Sequence, residues 1–244
     1  MTGHLTTSSA SRVGHTPRIS IIVPTLNEAD EIAAALAALA PLCGRGHEVI
    51  VVDGGSSDDT AALARGAADR FVSAPRGRAS QMNAGAALAR GEILLFLHAD
   101  TRLPENADAR ILQGLAASRR VWGRFDARIE GESRSLPAVA FFMNLRSRAT
   151  GIATGDQAMF VRRDAFERAG GFPPVELMED VALSRSLKRV SRPLCLADRV
   201  VTSGRRWDRR GVLRTVLLMA WLRLQFFLGA EPARLARLYD GDSR

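Results

Sequence analysis

Short apolar runs that stop at polar residues alternate with helically spaced segments over roughly the first 115 positions of the chain. Ile19–Val23 is rich in β-branched residues and is closed by Pro24, which predicts a first strand. Ala29–Ala40 places Ile32, Leu36 and Leu39 on one face with Pro41 just beyond, the pattern of an amphipathic helix. Glu48–Val52 predicts a second strand. Ser56 followed by Asp59 predicts a capped helix running to about Arg65. Phe71–Ser73 reads as a short strand and Ala79–Ala89 as a helix. Ile93–Leu97 is a buried strand that ends at His98-Ala99-Asp100. This alternation predicts an α/β fold with a mostly parallel, doubly wound sheet.

Beyond residue 115 the pattern is less regular. Val121–Ile129 and Asp156–Val161 read as extended, Leu136–Arg148 and Glu179–Arg189 as helices, and Asp164–Ala169 as a brief helix ending at Gly170-Gly171. Asp208 to about Leu228 is the longest helical candidate and predicts a C-terminal helical extension. Its apolar residues alternate with Arg209, Arg210, Arg214 and Arg223, so it suits a membrane interface or a face packed on the sheet domain. No window holds the ~18 uninterrupted apolar residues of a spanning helix; Arg214 and Arg223 break the nearest one, Val212–Gly229. Residues 1–17, rich in Ser, Thr, Gly and His, are expected to form a disordered leader.

Composition changes this picture little. The chain has 244 residues, 46% of them hydrophobic, which is enough for one large domain. The net charge of +8 is carried almost wholly by Arg, Lys188 being the only Lys. Such a surface suits phosphate-rich ligands or anionic membranes. No zinc-finger or stacked-aromatic pattern accompanies it, so no nucleic-acid partner is expected. Cys43 and Cys195 lack metal-ligand spacing, and a reduced, cytoplasmic setting is the default.

The candidate chemistry sits where apolar runs end. In open α/β sheets ligands bind outside the carboxyl ends of the strands. There the chain places Pro24-Thr25-Leu26-Asn27-Glu28, Asp53-Gly54-Gly55-Ser56 and His98-Ala99-Asp100, and Glu179-Asp180 opens a later helix. Any one of these could be turn or helix-dipole chemistry. Their convergence on one sheet edge points to a site. Arg76-Gly77-Arg78 with Asn83 and Gly85 offers glycine, Arg donors and a helix start suited to a diphosphate.

These motifs, in this order over about residues 18–190, resemble family 2 glycosyltransferases with the A-type, nucleotide-diphospho-sugar-binding fold. The Leu97-His98-Ala99-Asp100-Thr101 and Gly155-Asp156-Gln157 variants are similar to a compact bacterial subgroup. The resemblance implies a catalytic domain over 18–205, with a nucleotide-sugar half (18–115), an acceptor half (116–205) and a helical segment over 206–244. It implies an inverting transfer of one sugar from a nucleotide-diphospho-sugar to a hydroxyl acceptor, lipid or small metabolite. Donor contacts would fall to Pro24, Thr25, Asn27, Glu28, Asp53, Gly54, Arg78, Asn83, His98, Ala99 and Asp100. Asp100 matches the second Asp of the family's D-x-D motif and would ligate Mn²⁺ or Mg²⁺. His98 replaces the more usual Asp and would either join it as a ligand or hydrogen-bond the ribose or a phosphate. Asp180 matches the general base, with Glu179 orienting the acceptor. Gly155, Asp156, Gln157, Arg206 and Trp207 would line the sugar or acceptor pocket. Ser203-Gly204-Arg205-Arg206-Trp207 partly resembles the Q-x-x-R-W segment of processive members; without the Gln, single transfer is expected. A peripheral contact with the inner face of the plasma membrane is the further expectation. A nucleotidyltransferase would show a Gly-rich first loop with a nearby Lys. A non-catalytic, membrane-peripheral sugar-nucleotide binder would bind nucleotide without turnover and be indifferent to Asp180→Asn. A dinucleotide-binding dehydrogenase is disfavoured because no G-x-G-x-x-G follows the first strand.

Overall fold

The computed structural model describes residues 18–241; the leader expected over 1–17 lies outside them. The strands are β1 (Ile19–Thr25), β2 (Glu48–Asp53), β3 (Arg70–Ser73), β4 (Ile93–Phe96), β5 (Thr101–Arg102), β6 (Trp122–Glu130), β7 (Phe160–Arg162) and β8 (Leu194–Ser203). They form one sheet in the order β3-β2-β1-β4-β7-β6-β8-β5. β1 to β4 are mutually parallel and β6 runs parallel to β8, while β7 and β5 are antiparallel to their neighbours. The sheet is therefore mostly parallel and doubly wound.

Alternation along β1 explains the two layers. Ile19, Ile21 and Val23 face one side, where they meet Ile32, Leu36 and Leu39 of α1 (Ala29–Gly44) and Ile111 and Leu115 of α4 (Ala107–Ala116). Ile22 faces the other side with Leu94 and Phe96, against Met82 of α3 (Arg78–Leu88), Phe166 of α6 (Arg163–Arg168) and Leu183 and Leu187 of α7 (Glu179–Lys188). Each such side chain contributes about 1.5–3 kcal/mol by leaving water. Strands buried on both faces read as continuous apolar runs, which is why β1, β2 and β4 stand out in the sequence.

β5 follows β4 by only four residues yet lies four places away in the sheet. Five extended residue steps reach at most about 18 Å, and four strand spacings in a flat sheet come to about 19 Å. The Thr101 N–H donates to His98 O at 3.1 Å, so this segment is turned rather than extended. The far edge of the sheet must therefore curl back over the carboxyl end of β4. The curl brings β8 to the side of His98 and Asp100, and Thr101 Oγ1 donates to Thr202 Oγ1 at 3.1 Å.

Several boundaries differ from the sequence reading. α1 runs through Pro41 to Gly44. Proline removes the N–H that would serve the Ala37 carbonyl, but Ala37 and Pro41 are both exposed and solvent can take that role, while buried Leu42 anchors the last turn. Ser56 caps no helix: its hydroxyl donates to Asp53 Oδ1, and α2 (Thr60–Arg65) starts later. Gly155–Gln157 is a 3-10 turn, so the strand expected over Asp156–Val161 is only β7. α5 occupies Leu136–Thr150 as expected. Gly211, at φ +81°, breaks the predicted long helix into α8 (Arg205–Arg210) and α9 (Val212–Phe227), and α10 (Pro232–Gly241) follows.

The C-terminal helices pack on the body through Leu222 and Leu235, which meet Ile152, Leu177, Met178 and Val181. The other face of α9 stays in solvent, with Leu213 72% and Leu217 61% exposed. Among the described residues no helix is long and apolar enough to cross a membrane.

At Gly123 a Cβ would come within 2.3 Å of Leu194 O and 2.5 Å of the Phe160 ring. Gly123→Ala should force β6 and β8 apart and cost about 1–3 kcal/mol. Urea or thermal unfolding measures it, and an unchanged midpoint would contradict this packing.

Candidate active site

A cleft of about 1450 Å³ opens over the carboxyl edge of the sheet. Pro24, Thr25, Asn27 and Glu28 line it from the loop after β1, Arg76 and Arg78 from the start of α3, and His98, Ala99 and Asp100 from the end of β4. Asp156, Glu179, Arg206 and Trp207 line it from the second half of the chain. Most of the strand-end motifs thus share one concavity, though they come from segments far apart in sequence.

The loops after β1 and β2 form one unit. The Asn27 N–H donates to Ser56 Oγ at 2.9 Å, the Glu28 N–H to Thr60 Oγ1 at 2.8 Å and the Ser57 N–H to Asn27 Oδ1 at 2.8 Å. Beneath them buried Gln81 donates from Nε2 to both Thr25 O and Val52 O, each at 2.8 Å. Asp53 is buried in this knot, accepting the Gly55 and Ser56 N–H groups at 3.0 Å each. Sequence alone assigns no role to the side chains of Gln81 and Thr60, and it reads Ser56 as a helix cap. Their roles depend on which strand ends become neighbours.

Other candidates fall outside the lining. Asn83 clasps the main chain of Phe172, donating to its O at 2.8 Å and accepting from its N–H at 2.9 Å, so it holds the α6–α7 connection rather than facing a ligand. Gln157 is fully buried, caps the 3-10 turn with Thr154 and donates to Asn144 Oδ1 at 3.2 Å. Gly54 packs under Gln81, and Gly155 under the His98 ring. Asp180 is half-buried, next to the more buried Glu179, and accepts the Gly155 N–H at 2.8 Å.

The electrostatics are uneven. Buried Glu179 is pushed up to about 7 by loss of water and by neighbouring Asp180, with Arg78 and His98 pulling back. Desolvation opposes ionisation of Asp156, but His98, Arg206 and Arg78 outweigh it and hold it at about 2. Glu28 is raised by burial and by Asp100, which places those two carboxyl groups within each other's field; Arg205 offsets this with a 3.4 Å ion pair. His98 Nδ1 lies 3.6 Å from Asp156 Oδ1, and the Nε2 edge packs on Gly155. The Nδ1 edge is thus paired with Asp156, while the ring stays in the cleft lining.

Among the described residues no three His, Cys, Asp or Glu side chains are grouped to hold a metal. The donor set nonetheless suits a hard cation that takes its remaining oxygens from a diphosphate: Asp100 stands at the strand end with Glu28 in its field. Three of the described non-glycine residues with left-handed backbone, Asn27 (φ 55°), Ala158 (φ 45°) and Met178 (φ 68°), flank these motifs. Such conformations cost energy and cluster at functional sites.

A family model described as glycosyl transferase family 2 matches residues 20–170. The chain belongs to this family. It is a family 2 glycosyltransferase, and its curled, mostly parallel sheet is that of its structural neighbours. A PGL/p-HBAD biosynthesis glycosyltransferase of Mycobacterium tuberculosis is 38% identical over 96 residues, 36% of this chain and 38% of that protein. An undecaprenyl-phosphate 4-deoxy-4-formamido-L-arabinose transferase of Klebsiella pneumoniae is 26% identical over 156 residues, 59% of this chain and 48% of that one. The matched segment thus spans less than half of either relative. The mannosyltransferase of Pyrobaculum calidifontis, solved with GDP-Man and Mn²⁺, superposes with a TM-score of 0.57 at 25% identity, covering 77% of this chain and 57% of that one.

The raised Glu179 carboxyl fixes a sign. Its folded value of about 7 exceeds the ordinary 4.5, so its contribution to stability is full below about pH 4.5 and is lost as pH rises through about 7. Glu179→Gln should remove that loss and flatten the stability curve over this window by on the order of 1 kcal/mol or more. Parallel wild-type and variant curves of unfolding midpoint against pH would contradict it.

Proposed function

We propose that this family 2 glycosyltransferase moves one sugar from a nucleotide-diphospho-sugar to a hydroxyl acceptor, lipid or small metabolite, with inversion at the anomeric carbon. The observation that carries this reading is the convergence of two groups on one cleft. The donor loop after β1 with Asp100, and Glu179 at the acidic start of α7, line it together.

The nucleotide lies along the Pro24–Glu28 loop, with Asp53 stiffening the turn beneath it. Arg78 meets the diphosphate: desolvation works against its charge, yet Glu179, Tyr239, Asp156 and Asp180 keep it firmly protonated. A Mn²⁺ or Mg²⁺ ion held by Asp100, with Glu28 in reach, would neutralise charge on the departing nucleoside diphosphate. Asp156, held by His98 and Arg206, and Trp207 border the sugar and acceptor space.

Asp180 takes the proton of the acceptor hydroxyl, and the Gly155 N–H fixes the orientation of its carboxylate. The freed oxygen forms its bond to the anomeric carbon as the bond to the diphosphate oxygen breaks on the opposite face. No covalent glycosyl-enzyme is needed. Glu179, ionising near neutral pH, hydrogen-bonds the acceptor in either protonation state.

A panel of UDP-, GDP- and dTDP-sugars with Mn²⁺, Mg²⁺ or chelator tests the assignment. Asp180→Asn should bind donor normally and lose about 10²–10⁴-fold in turnover, whereas Asp100→Ala should lose metal-dependent donor binding itself. Absence of binding to any nucleotide sugar with any metal would sink the proposal.

The exposed apolar residues suit a peripheral membrane contact. Phe141 and Phe142 on α5 are 61% and 64% exposed, and Leu217 on α9 is 61% exposed, with Arg209, Arg210 and Arg214 nearby in sequence. Leu217→Asp should weaken sedimentation with anionic vesicles by about tenfold or more, leaving turnover of a water-soluble acceptor intact. Equal sedimentation of both proteins would argue against contact through this face.

A further inference from the structure

Two arginines in the cleft have no task in the transfer described above. Arg146 comes from α5 and Arg223 from α9, and both line the cleft. The Nε and Nη2 atoms of Arg146 are buried and make no hydrogen bond. A buried donor left unpartnered costs about 1–3 kcal/mol, and more when charged. Burial, Arg223 and Arg124 together push the Arg146 guanidinium down to about 10, with Asp180 opposing only in part. Arg223 is lowered too, by burial, against the pull of Asp180 and Asp156. Two guanidinium groups thus converge near the start of α7 without enough negative charge to balance them. The Asp180 carboxylate they feel accepts the Gly155 N–H and the Val181 N–H.

The donor does not account for this charge. Its diphosphate has its own two cleft arginines, Arg78 at the start of α3 and Arg76 just before it. Arg223 also lies beyond residue 170, where the family match ends, so it belongs to the part of the chain that can specialise for its acceptor.

We propose that Arg146 and Arg223 hold an oxyanion of the acceptor beside Asp180, so that the acceptor is an acid bearing a phosphate group. Phosphate fits better than carboxylate because a dianion can be shared by two planar guanidinium forks. The inference rests on the transferase reading for the word acceptor; the anion site itself does not.

The test is a binding titration on the full chain, saturated with a nucleoside diphosphate and Mn²⁺ so that the donor positions are filled, and repeated without them. Glycerol phosphate should bind and glycerol should not. Arg146→Gln and Arg223→Gln should each weaken glycerol phosphate by about 10- to 100-fold, the loss of a charge-assisted bond. Nucleoside diphosphate binding should be unchanged. Arg146→Lys should restore part of the affinity. Arg223→Gln keeps the test open if Arg146→Gln does not fold. A parallel arm uses phosphatidylcholine vesicles doped with a long-chain alkyl phosphate or the matching alcohol. Arginine-dependent binding confined to the phosphate vesicles would identify a lipid source, and binding in solution a free metabolite. Affinities unmoved by both variants in both arms, or equal binding of glycerol and glycerol phosphate, would overturn the proposal. Phosphate binding that needs both arginines in a protein that binds no nucleotide would keep the anion site and remove the transferase reading.

Discussion

The structure depends on the joining of two strand ends. Parallel strands leave their carboxyl ends side by side with main-chain carbonyls pointing into the space a ligand would fill. Gln81 answers two of these carbonyls with one amide, and the side chains of Asn27, Ser56 and Thr60 answer the amides of the loops above. A buried carbonyl without a donor is costly, so the knot is both a satisfaction of main-chain polarity and the floor of the cleft. The walls are built upon it. Asp53 shapes the turn from below, and Glu28 is delivered to the side of Asp100 by the same set of bonds.

The start of α7 obeys a different constraint, which is charge rather than main-chain geometry. Glu179 and Asp180 are adjacent acids at the start of one helix, where the dipole favours them. Burial nevertheless keeps one of the pair near its titration point. Arg78 reaches toward both from the donor side, and His98 and Arg206 are drawn to Asp156. Acid and base thus alternate along the cleft lining.

The apolar runs of β1, β2 and β4 were legible because both of their faces are covered, and the polar residues ending them were legible as a site for the same reason. β8 was not, because Asp198 and Arg199 interrupt a half-exposed strand whose pairing with β6 is a tertiary event. α4 carries Asp108 and Gln113 among its apolar positions and offered no clean start signal. Pro41 looked like a helix end because local rules cannot see Leu42 buried on the far side of it. Within the site, Asp100, Glu179 and Asp156 could be named from motif and position. Gln81, Arg146 and Arg223 could not, since a glutamine or arginine in a helix declares its task only through what it reaches. Asn83 and Gln157 show the converse: residues of plausible polarity whose hydrogen bonds hold neighbouring parts of the fold.

The contact between Gly155 and the His98 ring makes two distant positions a single unit of variation. A methyl group at 155 would sit 2.4 Å from Nε2, so no larger residue fits there while the imidazole stays. Replace His98 with a smaller side chain and position 155 opens to substitution; restore it and the same change becomes harmful. Such epistasis means that reshaping this corner through position 155 alone meets a barrier that a paired library avoids. Because the Gly155 N–H also steadies Asp180, any change in this pair would be felt at the neighbouring carboxylate.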